Sequence, residues 1–205
     1  LDPISPQYLS DLVSWAAIGA RTTESQTHRE MASGLSMPVG FKNGTDGNTQ
    51  IAMDAIGSAN HSHTTCGLNS FGQLSLLRSK GNAYGHMILR GGKEPNYDEE
   101  SVNNACSALA KSEFTSSVMV DCSHGNSKKN HKNQILVAQD IAKQIELGQQ
   151  SIFGVMVESF LVEGNQGTDD LDSLTYGQSI TDACIDLAES EDLLEVLAKA
   201  QSTLK

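Results

Sequence analysis

The stretch MPVGFKNGTDG, residues 37–47, decides the fold class. Met37, Val39 and Phe41 are apolar and alternate with other residues, which is typical of a strand. Lys42 follows, and behind it comes a run of Gly, Thr and Asp residues that cannot extend a strand. We therefore predict a buried strand that ends in a cation, followed by a loop.

The same order of apolar strand, polar tip, Gly/Ser/Asn-rich loop and helix recurs along the chain. The other strand segments are WAAIGARTT (15–23), HMILRGG (86–92), SVMVDCSHG (117–125) and IFGVMVESF (152–160). Helices are predicted near 25–33, 48–59, 98–112, 130–147 and 190–203, the last with Ser190 as its cap. Strands that are apolar on both faces are typical of parallel sheets covered by helices. The sequence therefore predicts an α/β fold of about five βα units.

Segment 61–80, HSHTTCGLNSFGQLSLLRSK, breaks this rhythm. It has the pattern of an inserted β-hairpin that turns near Asn69-Ser70 or Gly72. No low-complexity tract or linker divides the chain, so we treat residues 1–205 as one domain that carries this hairpin. Because the chain opens on LDPISPQYL, we expect it to begin inside a longer gene product.

Composition excludes several classes of function. A net charge of -11 makes a nucleic-acid or membrane surface a poor interpretation. No apolar run approaches the ~18 residues of a membrane span. The four cysteines form neither a CxxC pair nor a zinc-finger spacing. We interpret them as reduced thiols of a cytoplasmic protein.

Every predicted sheet strand ends in an ionisable side chain. These tips are Arg21, Lys42, Arg90, His124 and Glu158. The carboxyl ends of parallel strands lie on one face of a β/α fold, and active sites form there. We therefore expect three cations, a histidine and a carboxylate to share one rim.

Three converging cations indicate an anionic ligand with more than one charge, such as a phosphorylated acid. Arginine offers a planar fork that fits phosphate or carboxylate, and lysine adds a point charge. Without such a ligand the cations would repel one another. The alternative is that each cation pairs with a neighbouring carboxylate of the rim.

His124 and Glu158 resemble metal ligands, and Asp182 in SITDAC fits as a third. Imidazole nitrogen combined with carboxylate oxygen suits Mn²⁺, Fe²⁺, Co²⁺ or Zn²⁺. The alternative for His124 is a hydrogen-bonded structural residue. Cys122 lies two residues before His124, and we interpret it as a packing residue rather than a soft ligand. The remaining histidines are interpreted as surface or packing residues: His28, His61, His63, His86 and His131.

At these residues the chain resembles a known family, the type I microbial 3-deoxy-D-arabino-heptulosonate 7-phosphate (DAHP) synthases. The resemblance rests on six motifs: GARTTESQTHR (19–29), PVGFKNGTDG (38–47), ILRGGKEPNY (88–97), DCSHGNSKK (121–129), VMVESFLVEGNQ (155–166) and SITDACI (179–185). It implies a TIM barrel, of which this chain carries strands four to eight. It also implies a metal-dependent transferase that condenses phosphoenolpyruvate with erythrose 4-phosphate and releases phosphate, the first step of the shikimate pathway to the aromatic amino acids.

The resemblance also implies residue roles. Phosphoenolpyruvate would be held by Arg21, Lys42 and Arg90, with help from the backbone at Ala20. Three of the divalent-metal ligands would be His124, Glu158 and Asp182. Lys42 and His124 are both candidates for the catalytic proton donor. Ser36 would belong to an effector site for an aromatic amino acid, and the protein is expected to be a homodimer or homotetramer.

Two motifs of the family are missing, a Gly-Pro-Cys-Ser type metal motif and a Lys-Pro-Arg-Thr type motif for both substrates. The hairpin also departs from the family, since HTTCGLNSFG has small and polar residues where an aromatic is typical. We therefore expect the isolated chain to be poorly stable and inactive. The alternatives are a related synthase such as 3-deoxy-octulosonate 8-phosphate synthase, a non-catalytic fragment, and a Rossmann-like sheet, although no GxGxxG motif follows an early strand.

Overall fold

The computed structural model describes residues 3–204, in which strands and helices alternate. The strands are β1 (Ala16–Ile18), β2 (Val39–Lys42), β3 (Thr64–Leu68), β4 (Leu74–Arg78), β5 (Gly85–Leu89), β6 (Val118–Asp121), β7 (Ile152–Met156), β8 (Val162–Asn165) and β9 (Gln178–Ser179). The α-helices are α1 (Pro6–Leu9), α2 (Gln26–Gly34), α3 (Gln50–Asn60), α4 (Glu99–Lys111), α5 (Asn133–Glu146) and α6 (Leu187–Gln201). Short 3₁₀ turns cover Ser10–Leu12 and Leu171–Ser173.

Within the described residues, one parallel sheet holds five strands in the order β1-β2-β5-β6-β7. Val39 of β2 pairs with Ala16 of β1 on one side and with Gly85 of β5 on the other. Because all pairings in this sheet are parallel, the carboxyl ends of its strands lie along one edge. The prediction of an α/β fold with a parallel sheet is confirmed.

The inserted hairpin is also confirmed. Strands β3 and β4 pair antiparallel and form a separate two-stranded sheet. The side-chain oxygen of Asn69 accepts hydrogen bonds from the backbone N–H groups of Phe71 and Gln73, at 2.9 and 3.0 Å. The turn therefore includes both predicted positions, Asn69-Ser70 and Gly72.

Two elements differ from the prediction. The segment between β7 and the last helix, for which the sequence predicts only a loop, contains β8 and β9, which pair parallel to each other. The last helix begins at Leu187 and not near 190, so Ser190 is not its cap. Asp186 caps it instead, because its carboxylate accepts from the N–H of Glu189 at 2.8 Å while the Glu189 carboxylate accepts from the N–H of Asp186 at 3.3 Å. Two reciprocal bonds satisfy two free helix donors at once.

The apolar core lies between the sheet and its helices. Val39, Phe41 and Met87 are fully buried in β2 and β5, and Val102 and Leu109 of α4 pack in the same cluster. Strands β1 and β7 form the two edges of the sheet. Among residues 3–204, no helix is both long and apolar enough to cross a bilayer.

Truncating the central aromatic of this core is expected to destabilise the protein strongly. Phe41 has no exposed surface, and Phe41→Ala should lower the free energy of unfolding by about 3–5 kcal/mol. The matched control is Phe71→Ala in the hairpin, since Phe71 is 85% exposed and its loss should cost less than ~0.5 kcal/mol. Urea unfolding followed by circular dichroism measures both. Similar losses for the two variants would contradict the assignment of this core.

Candidate active site

The charged strand tips gather at the carboxyl edge of the sheet. Lys42 is the last residue of β2, and Arg90 follows β5 directly. Glu158 comes two residues after β7, and His124 comes three residues after β6. Arg21 lies three residues after β1, further along than predicted, because the Thr22 and Thr23 hydroxyls donate to the Gly19 carbonyl and begin a turn.

Lys42 is paired with a carboxylate that is not among the residues predicted above. Its Nζ donates to Oδ2 of Asp121 at 2.6 Å, and the Asp121 side chain has no exposed surface. Burial by itself raises the pKa of Asp121, but hydrogen bonds from His124 and Ser123 and the Lys42 charge hold this pKa well below its usual range. For Lys42, therefore, the alternative interpretation is correct: this cation pairs with a neighbouring carboxylate. The sequence does carry a signal for Asp121, because this residue ends the apolar strand VMVD just as Lys42 ends the strand VGFK.

The two arginines are placed differently from Lys42. Within residues 3–204, neither Arg21 nor Arg90 forms an ion pair with a carboxylate. The loop that carries Arg21 is tied to the tip of β2, since the Thr23 hydroxyl donates to the Lys42 carbonyl at 2.7 Å. Arg29 of α2 fixes the same loop by donating to the Thr23 carbonyl at 2.9 Å. Two cations thus stay available to an anion beside the paired lysine.

Three asparagine side chains connect the loops after β2, β5 and β6. Asn43 accepts from the N–H of Arg90 at 2.8 Å and from the side-chain amide of Asn96 at 3.2 Å. The Asn96 side-chain oxygen accepts from the backbone N–H of Gly91 at 2.7 Å, and the Asn96 backbone N–H donates to the side-chain oxygen of Asn126 at 2.8 Å. Asn43 and Asn126 are buried, which strengthens the hydrogen bonds that they make. This network fixes the backbone of Arg90, and it is absent from the sequence predictions.

The predicted metal ligands come together. The ligand atoms of His124, Glu158 and Asp182 all lie within 4.8 Å of one another. His124 Nε2 is 3.5 Å from Glu158 Oε1. Gln134 of α5 fixes the backbone of Glu158, since it accepts from the Glu158 N–H at 2.8 Å and donates to the Glu158 carbonyl at 3.0 Å.

The electrostatics of this group favour a bound cation. Burial raises the pKa of Glu158, and the charges of Asp182 and Asp121 add to that rise while His124 opposes it. Two neighbouring carboxylates and a ring nitrogen relieve their repulsion when a divalent ion lies between them. His124 also has a φ of 53°, a left-handed conformation that costs free energy for a residue with a side chain. One nitrogen and two carboxylates fit Mn²⁺, Fe²⁺, Co²⁺ or Zn²⁺.

Cys122 does not join this group. Its side chain is fully buried in the core cluster, as predicted for a packing residue. Burial, with help from the Asp121 charge, raises the pKa of the Cys122 thiol to about 12. A thiol that stays protonated is a poor metal ligand. All four cysteines are free in the structure.

A family model for the DAHP synthetase I family matches residues 1–195. The chain belongs to this family. It is 52% identical over 203 residues to the Trp-sensitive phospho-2-dehydro-3-deoxyheptonate aldolase of Escherichia coli K12. This match covers 99% of this chain and 58% of that protein. It is also 53% identical over 200 residues to the Tyr-sensitive enzyme of Salmonella typhimurium. That match covers 97% of this chain and 56% of that protein.

A solved structure agrees with this membership. The phospho-2-dehydro-3-deoxyheptonate aldolase of Francisella tularensis SCHU S4 superimposes with a TM-score of 0.96 at 49% identity, and the match covers 100% of this chain and 60% of that one. The chain therefore spans about 58% of the length of the DAHP synthetase I relatives that it matches. The resemblance inferred from six sequence motifs is confirmed.

Proposed function

We propose that this chain contributes the phosphoenolpyruvate site and three metal ligands of a DAHP synthase. The observation that carries this proposal is the grouping of His124, Glu158 and Asp182 within 4.8 Å beside the cationic strand tips. The reaction condenses phosphoenolpyruvate with erythrose 4-phosphate and water to give DAHP and inorganic phosphate, as the first step of the shikimate pathway. Membership of the DAHP synthetase I family supports it.

The three cations and a backbone group would bind phosphoenolpyruvate. Arg21 and Arg90 suit its phosphate and carboxylate, because each guanidinium forms two parallel hydrogen bonds with such groups. The backbone at Ala20 adds a contact next to Arg21. The asparagine network fixes the backbone of Arg90, which lowers the order that has to be gained when the substrate binds. These contacts orient C3 of the enol toward the aldehyde carbon of the second substrate.

A divalent cation held by His124, Glu158 and Asp182 would supply Lewis-acid chemistry at this face. C3 of phosphoenolpyruvate attacks the aldehyde carbon, water adds at C2, and the phosphate leaves by cleavage of its C–O bond. The aldehyde oxygen needs one proton. A lysine ammonium has three N–H bonds, and Lys42 gives one of them to Asp121. Since His124 directs Nε2 toward Glu158, we assign the proton donor to Lys42 rather than to His124.

We also propose that residues 1–205 form one partial domain, strands four to eight of a (β/α)₈ barrel with an inserted hairpin near 61–80. The supporting observation is that β1 and β7 are edge strands of a parallel sheet, at which further barrel strands would pair. In this proposal the enzyme is cytoplasmic and assembles as a homodimer or homotetramer. Size-exclusion chromatography with light scattering tests the assembly.

Direct assay of DAHP formation tests the proposed reaction. The complete enzyme, to which we propose this chain contributes, should consume phosphoenolpyruvate and erythrose 4-phosphate in equal amounts, lose activity with EDTA and regain it with Mn²⁺. Replacing erythrose 4-phosphate by a five-carbon aldose phosphate tests the alternative synthase of the octulosonate type. Turnover of the five-carbon sugar alone would contradict the proposal.

A second proposal concerns an effector site. A cavity of about 880 Å³ lies between α2, the hairpin and the N-terminal segment, and Ser36 lines it together with Met31, Leu35, Leu68 and Leu77. Relatives of this chain are named Trp-sensitive and Tyr-sensitive. We propose that an aromatic amino acid binds in this cavity. The apolar side chains suit its ring, and Ser36 offers a polar contact.

Titration with Phe, Tyr and Trp tests the effector proposal. One of them should inhibit DAHP formation, and Ser36→Phe should abolish that inhibition because the larger ring fills part of the cavity. The kcat without effector should stay unchanged. Ser116→Phe is the control, since Ser116 is exposed and does not line the cavity. Inhibition that persists unchanged in the Ser36 variant would contradict this placement.

A further inference from the structure

The carboxylate of Asp121 contacts three side chains at the centre of the site. Its Oδ2 lies 2.6 Å from Lys42 Nζ and 3.0 Å from His124 Nδ1. Its Oδ1 accepts from the backbone N–H of Ser123 at 2.9 Å and from the Ser123 hydroxyl at 2.6 Å. One fully buried side chain therefore links a cation of the anion site to a ligand of the metal site.

Counting protons in this cluster fixes the tautomer of His124. The Ser123 hydroxyl has one proton, and its oxygen lies 2.6 Å from both Asp121 Oδ1 and His124 Nδ1. An ionised carboxylate can only accept, so the hydroxyl donates its proton to Asp121. The Ser123 oxygen must then accept from His124, and Nδ1 carries the ring proton. In a neutral imidazole this leaves a lone pair on Nε2.

That lone pair points toward the carboxylate side of the proposed metal site. His124 Nε2 lies 3.5 Å from Glu158 Oε1, which is longer than an N–H···O hydrogen bond. Two lone pairs that face each other without a proton between them suit a bound cation. The orientation of His124 for metal binding thus depends on Asp121 and Ser123.

We propose that Asp121 is a positioning residue that holds Lys42 for substrate binding and fixes His124 in the Nδ1–H tautomer for metal binding. This inference rests on the proposed function of the site. It implies that loss of the Asp121 carboxylate weakens the binding of both Mn²⁺ and phosphoenolpyruvate, because both partners lose the same acceptor. A residue that only supports the fold would affect stability without changing the tautomer.

Asp121→Asn tests this assignment with three measurements. Electron paramagnetic resonance should show Mn²⁺ binding weakened by about 10–100-fold, the range for loss of a group that orients a ligand. Calorimetry should show weaker phosphoenolpyruvate binding. In protein with ¹⁵N-labelled histidine, the ring nitrogen shifts of His124 should change from the Nδ1–H to the Nε2–H form, or to a mixture. Asp98→Asn is the control, because Asp98 caps α4 and its carboxylate accepts from the backbone N–H and the hydroxyl of Ser101.

Ser123→Ala provides a second variant in case Asp121→Asn does not fold. It removes one acceptor of the His124 proton and leaves the Lys42–Asp121 pair intact. Mn²⁺ binding should weaken by about tenfold, while phosphoenolpyruvate binding should stay unchanged. Wild-type affinities and an unchanged Nδ1–H tautomer in folded Asp121→Asn would overturn the inference. If the unsubstituted protein bound neither Mn²⁺ nor phosphoenolpyruvate, the proposed function would fail, and the ring nitrogen shifts would still decide the role of Asp121.

Discussion

In the complete enzyme, Lys42→Met is expected to lower kcat/KM for phosphoenolpyruvate by about 10²–10³, the usual effect of removing one preorganised donor from an active site. Methionine keeps much of the side-chain volume but removes the ammonium that we propose binds the substrate. It also leaves the Asp121 carboxylate buried without its cation. Removal of one partner from a buried ion pair costs about 3–5 kcal/mol of stability, so the variant should also unfold at lower urea concentration.

The two effects of the Lys42 substitution can be separated. Adding Asp121→Asn to Lys42→Met removes the unpaired charge and should restore much of the lost stability, whereas the activity should stay low. Lys129→Met is the control, since Lys129 is exposed in the loop after β6. It should change neither activity nor stability by a measurable amount. Near-normal kcat/KM in Lys42→Met would show that Lys42 does not belong to the proposed binding site.

The second large effect is expected at the metal site. Asp182→Asn exchanges the charged oxygen of a proposed ligand for a neutral amide, and Mn²⁺ affinity should fall by at least about 100-fold, since loss of a group that only orients a ligand already costs 10–100-fold. Activity at low Mn²⁺ should fall in parallel and recover in part when Mn²⁺ is raised. Phosphoenolpyruvate binding without metal should not change.

Asp169→Asn is the matched control for Asp182→Asn. Asp169 is an exposed aspartate that lies outside the metal-binding group of His124, Glu158 and Asp182. Electron paramagnetic resonance of free Mn²⁺ gives both affinities directly. Equal affinities in the two variants would show that Asp182 is not a ligand.

The sequence predicts the sheet and the charged tips well, because both depend on local patterns. An apolar run of strand length followed by a loop signal is enough to place β2 and its terminal Lys42. Parallel pairing then brings distant tips such as His124 and Glu158 to one edge without any further information, whereas Asp182 lies outside this sheet, after β9. The hairpin follows from its alternation and its turn residues.

Other features depend on contacts between distant segments, and the sequence does not show them. Asp121 acquires its role from Lys42, 79 residues earlier in the chain. Asn43 acts through Asn96, 53 residues later. Strands β8 and β9 are short, and the Gln166 side chain donates to the carbonyls of Thr175 in the segment between them and of Gln178 in β9. Such side-chain bonds have no periodicity that a sequence pattern reveals.

In our proposal, a metal ion and phosphoenolpyruvate bind next to each other at the carboxyl edge of the sheet. The most direct test is ³¹P relaxation of phosphoenolpyruvate in the presence of the protein and Mn²⁺, with Zn²⁺ as the diamagnetic reference. We expect Mn²⁺ to shorten the relaxation time of the bound phosphate strongly, and Asp182→Asn to remove this effect. Equal relaxation with Mn²⁺ and Zn²⁺, under conditions where both ligands are bound, would contradict the proposal.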